Sequence, residues 1–347
     1  MNILRVDPAT DPRWKQLVDQ GHGSLFHSPP WARVLSDTYG LEPEALMVVD
    51  AGGRPAAGII YCQVSDLGGD RLISLPFSDY CDPLLTSRKE WEALFGALRE
   101  SGLPITFRCV RCPIPPGDER LIAIKKARWH GVDLREDIHA LWKNLAATTR
   151  RSIRKARREG VKLRALDDAT FLHEFYQLHQ KIRKRKYRLL AQPRAFFDVI
   201  GRRFEEIDGW FPLAVEHAGK IVGTTVFLRW NDTLYYKFNA SRFETLHLRP
   251  NDFLVWEGIV LGKSLGCSRL DLGLSDEDQP GLVRFKRHFG AQEGEIRFLR
   301  YRPCGLAEDR EKKMSAFLRE ITGLLTDPAV PDEINNRAGA LFYRFFA

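Results

Sequence analysis

Long apolar runs are missing from this chain. The longest stretches, such as Phe253 to Gly262, are interrupted by Glu257 and fall short of the roughly 20 residues needed to span a bilayer. The start, MNILRVDPATD, has no basic flank followed by an apolar core, so it does not read as a secretory signal. No integral membrane segment is expected, and the expected compartment is the cytoplasm. Cysteine is sparse, six in 347 residues, too few for a disulfide framework in a chain of this size. Cys109 and Cys112 have the CxxC spacing, but no second pair stands at zinc-ligand spacing, so both read as structural thiols and no metal is expected. No GxGxxG or phosphate-loop sequence follows an early strand, which disfavours a doubly wound nucleotide fold. No GxSxG elbow is present and no cysteine has a local histidine partner, which disfavours a seryl or cysteinyl nucleophile.

What is present is ordinary for a globular chain: 44% hydrophobic and 28% charged residues, over a length comfortable for two domains. The net charge of +8 is informative through its distribution. From Arg150 to Arg188 there are 14 Lys or Arg against four Asp or Glu. Such a field attracts phosphate-bearing partners, and equally describes a solvated basic surface.

In the first half, Ser28 to Gly40 reads as a short helix with a Ser-Pro start and a Gly stop. Leu46 to Val49 and Ala56 to Val64 read as a hairpin across AGGRP, Arg71 to Leu75 as a third strand, and Ile105 to Val110 as a further one. Trp91, Leu94, Phe95 and Leu98 recur at helical spacing and place an amphipathic helix at Glu90 to Glu100. A boundary falls between Pro113 and Asp137, followed by one basic helix from about His139 to Glu159. The second half reads as β, α, α, β, β, β, α, β, α, β. Its three consecutive short-loop strands must be antiparallel, and the helical crossover after them feeds a parallel neighbour. The expected class is therefore α/β, with a mixed sheet.

Several residues are candidates for chemistry. A helix starting near Arg249, Asn251 and Asp252 would expose unpaired N–H groups able to receive a phosphate, with Asn251 or Asp252 as its cap; ordinary capping alone is the other reading. Asp271 alternates away from Leu270 and Leu272, as a structural anchor or as an organiser of the cleft. In GLVRFKRHFG, Lys286 either points into a cleft, where it would stabilise an oxyanion, or forms a surface salt bridge. Tyr235, Lys237 and Asn239 share one strand face by alternation, a face polar enough to line a substrate channel. Tyr187, at the end of the basic run, joins the donor-binding candidates. Asp79 and Asp82 follow a strand in LPFSDYCDPLL; carboxylates there orient or deprotonate an attacking amine, or simply form a turn.

The runs TRRSIRKARREGVKLR, LRPNDFLVWEGIVLGKSLGCSRLDLG and GLVRFKRHFGA resemble the GNAT-like domain of FemAB/FemX-type aminoacyltransferases and their acetyltransferase relatives. FHSPPWARVLSDTYG and LPFSDYCDPLL extend the resemblance into the first half. The resemblance implies tandem GNAT-like domains, at 1–137 and 138–305, with a helical extension at 306–347. It implies an N-acyltransferase with no tightly bound cofactor. The co-substrate would be acyl-coenzyme A or an aminoacyl-tRNA, a polyanionic donor in either case. The acceptor would be an amine on a nucleotide- or lipid-linked precursor of peptidoglycan or exopolysaccharide. By motif, Lys286 would be the residue that stabilises the intermediate, and Asp79 or Asp82 the carboxylate near the acceptor amine. Arg151 and Arg154 would approach phosphates, and Arg249 to Asp252 would mark the helix start that holds pyrophosphate. The LRPND start has no glycine, and Pro250 removes one N–H donor. A non-catalytic nucleotide- or RNA-binding protein of the same fold is the alternative.

Overall fold

The computed structural model describes residues 2–20, 23–304 and 309–347. In chain order the elements are β1 (Asn2–Val6), α1 (Pro12–Gln20), α2 (Pro29–Tyr39), β2 (Pro43–Val49), β3 (Pro55–Asp66), β4 (Gly69–Ile73), α3 (Arg88–Arg99) and β5 (Ile105–Cys109). Next come β6 (Ile122–Asp133), α4 (Ile138–Asn144), α5 (Ala147–Arg158), β7 (Lys162–Arg164), α6 (Asp168–Ile182), α7 (Arg194–Glu205), β8 (Trp210–His217), β9 (Lys220–Trp230) and β10 (Thr233–Ser241). The chain continues through α8 (Pro250–Ser264), β11 (Arg269–Asp276), α9 (Pro280–Arg287), β12 (Gln292–Tyr301), α10 (Asp309–Leu325) and α11 (Asp332–Phe342). The expected boundary at 305/306 lies outside the described residues. No helix among them is long and apolar enough to cross a membrane.

Contacts divide the chain into two compact units. The first holds the residues up to Arg128 with Gly294–Glu320 and Arg344–Ala347; the second holds Trp129–Glu293 and Ile321–Tyr343. In the first, β1 to β4 form an antiparallel meander, and β4 then meets β5 in parallel through Leu72↔Ile105 and Ile73↔Thr106. The far edge of β5 is covered antiparallel by β12, with Arg297↔Cys109 through Tyr301↔Ile105. α3 packs Trp91, Leu94, Phe95 and Leu98 on this sheet, with Trp91 stacked on Phe95 at 4.6 Å. α2 is set by its ends: the Ser28 hydroxyl accepts from the Trp31 N–H, and Gly40 takes φ 63, the left-handed turn that favours glycine.

The second unit repeats this connectivity. β7, β8, β9 and β10 are antiparallel, and β10 meets β11 in parallel through Thr233↔Arg269, Leu234↔Leu270 and Tyr235↔Asp271. The far side of β11 is lined by β6. One face of the sheet carries α8 and α5 over a core of Phe227, Leu234, Ile259 and Leu270. Gly258 lets α8 sit close, because a Cβ there would stand 2.2 Å from the Phe227 ring. The other face receives α7, whose Phe196 and Phe197 meet Phe238 edge-on at 5.9 and 5.1 Å. Such burial contributes roughly 2 kcal/mol per large apolar side chain.

Three expectations change. The basic helix is two, α4 and α5, broken at the extended Leu145. The segment read as weakly periodic contains the twelve-residue strand β6; its Ala127, Trp129, His130 and Val132 are buried, while Ile122 and Ile124 are exposed, so simple alternation gave no signal. Neither Asn251 nor Asp252 caps α8: Arg249 holds the N-cap position in the left-handed region, φ 64, with Pro250 as first helical residue and no side-chain cap.

Candidate functional site

The geometry that organises the second unit is a parting of two strands. β10 and β11 pair over three residues only, while β10 continues paired with β9 to Ser241↔Gly223. Among the described residues, Tyr236–Ser241 and Leu272–Asp276 therefore diverge and leave a wedge within the sheet. The cause is a β-bulge. Tyr236 opposes Phe227 and Phe238 opposes Val226, so Lys237 is the extra residue, and a bulge bends its strand and raises the local twist.

The bulge also overturns the alternation expected for this strand. Tyr235 and Phe238 fall on the face of Val226 and Leu228, while Tyr236 and Asn239 fall on the face of Phe227 and Thr225. Tyr235, Lys237 and Asn239 thus do not share one face. Tyr235 is buried, Lys237 lies 5.6 Å over the Phe238 ring, and the Asn239 amide donates to the Thr225 Oγ1 at 2.8 Å and the Thr224 carbonyl at 3.2 Å.

The β11 wall carries a lysine. Lys286, on α9, is 3% exposed, and its Nζ donates to the carbonyls of Gly273 at 3.1 Å and Leu274 at 2.7 Å. It is a buried ammonium fixed to the strand just past the parting point, in place of the surface ion pair that was the alternative. Asp271 stands at the parting itself: it accepts from the Trp129 Nε1 at 2.8 Å and from the Gly273 N–H at 2.7 Å. The carboxylate thus holds β6 and β11 in place.

At the start of α8, Asn251 Oδ1 accepts from the Ser241 hydroxyl at 2.6 Å. Asp252 has its carboxyl pushed up by burial, opposed by the Arg249 charge, by Ser152 and by His288. Burial, then Tyr187, then Asp252 push the Tyr236 phenol well above its usual range. Tyr187, Tyr236, Asp252 and Arg249 are therefore brought into one electrostatic neighbourhood, with Ser152 and His288 as members that sequence reasoning missed. Arg151 and Arg154 are exposed on α5, and Arg154 lies 5.6 Å over the Trp142 ring.

His130 was also missed. It is fully buried on β6, and its Nε2 is 3.5 Å from Glu293 Oε2, which accepts from Arg287 Nε at 2.6 Å. Burial, Lys286 and Arg287 hold the imidazole down to about 4, against the pull of Glu293.

In the first unit the equivalent parallel pair does not leave a wedge. Past Ile73, the loop carrying Leu75 (φ 51) and Phe77 (φ 56) returns to β5. Cys81 forms an antiparallel bridge with Arg108, and Arg108 Nη1 donates to the Ser78 carbonyl at 2.7 Å. Asp82 Oδ1 accepts from the amides of Val110, Arg111 and Cys112 at 2.8–2.9 Å; burial nonetheless raises its carboxyl. Asp79 lies within the field of Arg108. Cys81 does meet a histidine, His27, at 3.5 Å, a partner 54 positions away that no local scan finds. Burial pushes this thiol well up and the imidazole down to about 4, the opposite of an activated nucleophile. Cys109 is likewise buried and its thiol raised.

Residues 143–287 match the family model described as an acetyltransferase (GNAT) domain. No curated protein matches the chain. Among solved structures, FemX is similar with a TM-score of 0.65 at 13% identity, over 86% of this chain and 97% of that one. L-PGS from Bacillus licheniformis gives 0.54 at 13%, over 92% and 97%. A tandem GNAT protein from the clavulanic acid biosynthesis pathway gives 0.51 at 14%, over 88% and 99%. The segment that builds the wedge thus lies within the stretch that is similar to a GNAT-type acetyltransferase domain, and the chain has the mixed α/β fold of FemX and of a tandem GNAT protein.

Proposed function

We propose that this protein is an N-acyltransferase whose second unit binds an activated acyl donor in the wedge between β10 and β11. The acceptor amine attacks the donor carbonyl directly, with no covalent acyl-enzyme. The observation that carries this reading is the parting of the two strands after Tyr235 and Asp271, with Lys286 pinned to the β11 wall. Strand edges that part company offer backbone N–H and C=O groups to an extended ligand. A fixed ammonium beside them is placed to stabilise the oxyanion of a tetrahedral intermediate, an effect of about 3 kcal/mol for a preorganised donor.

The phosphate-bearing part of the donor belongs at the start of α8. The first amides there lack helical partners, Arg249 adds its charge, and Tyr187 stands nearby; Arg151 and Arg154 extend the basic surface. Both acyl-coenzyme A and an aminoacyl-tRNA carry phosphates that suit this end. The likeness to the tandem GNAT protein supports the first donor, and the FemX likeness supports the second. The acceptor we assign is an amine on a nucleotide- or lipid-linked precursor of peptidoglycan or exopolysaccharide, met in the cytoplasm. A non-catalytic RNA-binding role is the second reading, favoured by the exposed arginines of α5.

Calorimetric titration with acetyl-coenzyme A, followed by transfer assays with amine acceptors, tests the reading. Saturable one-to-one binding and transfer, with Lys286→Ala losing about 100-fold in kcat at unchanged donor affinity, are expected. Salt-dependent RNA binding without transfer from either donor would favour the second reading.

A further inference from the structure

His130 is a buried base whose ring makes no hydrogen bond to the described residues. A neutral imidazole has one N–H to donate and one lone pair to fill. Among the described residues, neither Nδ1 nor Nε2 of His130 has a hydrogen-bond partner, although the ring is 0% exposed. The nearest acceptor, Glu293 Oε2, stands at 3.5 Å, beyond the usual N–H···O range of about 2.7–3.2 Å, and already receives Arg287. Folded proteins rarely leave such a group unmet, and an exception calls for an explanation, a catalytic role among them.

Direct attack by an amine also leaves a chemical need open. As the N–C bond forms, the nitrogen becomes cationic and must lose a proton before the tetrahedral intermediate collapses to an amide. Lys286 answers for the oxygen and, as a cation, cannot take that proton. Asp271 has an oxygen on Trp129 and the other on Gly273. Asp252 lies with Arg249 and Ser152 at the start of α8, where the donor's phosphates are placed. The charged groups that face His130 are Lys286 and Arg287 on α9 and Glu293 beside them. The two cations favour the neutral, proton-accepting ring, and Glu293 is positioned to stabilise the imidazolium once the proton arrives.

We propose that His130 is the proton acceptor for the attacking amine, with Glu293 as the residue that positions and stabilises its protonated form. The balance is complete within the reaction. The amine nitrogen bonds to the carbonyl carbon and its proton goes to the free ring nitrogen of His130. The carbon–sulfur bond, or the carbon–oxygen bond of an aminoacyl ester, then breaks, and the leaving thiolate or alkoxide takes the proton back from the imidazolium.

The inference rests on the acyl-transfer reading, and one set of assays separates the two. Wild type, His130→Asn, His130→Ala and Glu293→Gln are compared for thermal midpoint, acetyl-coenzyme A affinity, turnover with both donors, and solvent deuterium isotope effect. We expect His130→Asn to bind the donor as wild type does and to lose about 100-fold or more in kcat, with the isotope effect changed. His130→Ala should recover turnover on addition of imidazole, and Glu293→Gln should fall between. Wild-type transfer with His130→Asn within threefold, or without imidazole rescue of His130→Ala, overturns the role of His130 alone. Loss of kcat only in step with loss of folding or donor affinity does the same. Failure of wild type with both donors overturns the acyl-transfer reading, and the inference with it.

Discussion

The two units follow the same strand order but treat the same junction differently. In each, an antiparallel meander passes through a helix into a parallel neighbour. In the first unit the pair β4/β5 holds for two residues, after which the loop from Ser74 to Asp82 folds back onto β5 through Cys81, Ser78 and Asp82. In the second, β10 bends away at Lys237 and nothing in the described chain replaces it along β11. The buried histidines follow the same division. His27 has Ser24 on one ring nitrogen, at 2.9 Å, and the Asp82 carbonyl on the other, at 2.7 Å; His130 has no such partner on either nitrogen among the described residues. One fold can thus close a junction for stability or leave it open for chemistry, and the difference lies in a loop and one inserted residue.

Deleting Lys237 tests this contrast most strongly. Without the bulge residue, Tyr235, Tyr236, Phe238 and Asn239 would alternate regularly and keep the faces they now occupy. We expect the variant to fold, with its midpoint lowered only a few degrees, and to lose about 100-fold or more in turnover as the wedge narrows. Full activity would show that the parting of the strands does not depend on the bulge. Next in size is Asp82→Ala. Removal of a buried acceptor from three amides should cost ~3 kcal/mol of stability, measured by urea unfolding. The folded fraction should turn over at near the wild-type rate. A 100-fold loss in turnover at unchanged stability would instead make the first unit's loop part of the chemistry.

The smallest effect concerns pH. His27 is held at about 4 against an ordinary 6.5. Its folded form therefore binds a proton less readily than its unfolded form. The associated stability is present above pH 6.5 and is lost as pH falls towards 4, by ~2 kcal/mol at pH 5. His27→Gln should flatten that part of the profile by this amount, without altering turnover at neutral pH. An unchanged slope would place the acid sensitivity elsewhere, with His179 as the next candidate, held at about 3 by burial.

The sequence was most legible where pattern and packing coincide. The apolar stripe of α3, the Ser28 and Gly40 ends of α2, and the three short-looped strands before α8 all announce themselves, so the mixed sheet and its antiparallel-to-parallel switch were readable. Lys286 was readable as a candidate because Phe285 and Phe289 fix its helix. Its burial was not readable, because a lysine beside arginines looks like solvated surface until the carbonyls that hold it are known. The bulge at Lys237 has no local signature, and one extra residue reverses the faces of everything after it. His130 lay in a strand whose exposed start and buried end mask alternation. Its importance comes from partners it lacks, a property that exists only in three dimensions.

The place of β12 has a consequence for how the protein is made. The strand that covers the edge of β5 is synthesised only after the whole run from Trp129 to Glu293. At roughly 5–20 residues per second, the backbone groups of Ile105–Cys109 wait on the order of ten seconds or more for their partner. During that interval the nascent first unit presents an open strand edge bearing Ile105 and Phe107, the kind of edge that recruits other chains. Slow decoding of the second unit should therefore lower the yield of native protein through events in the first.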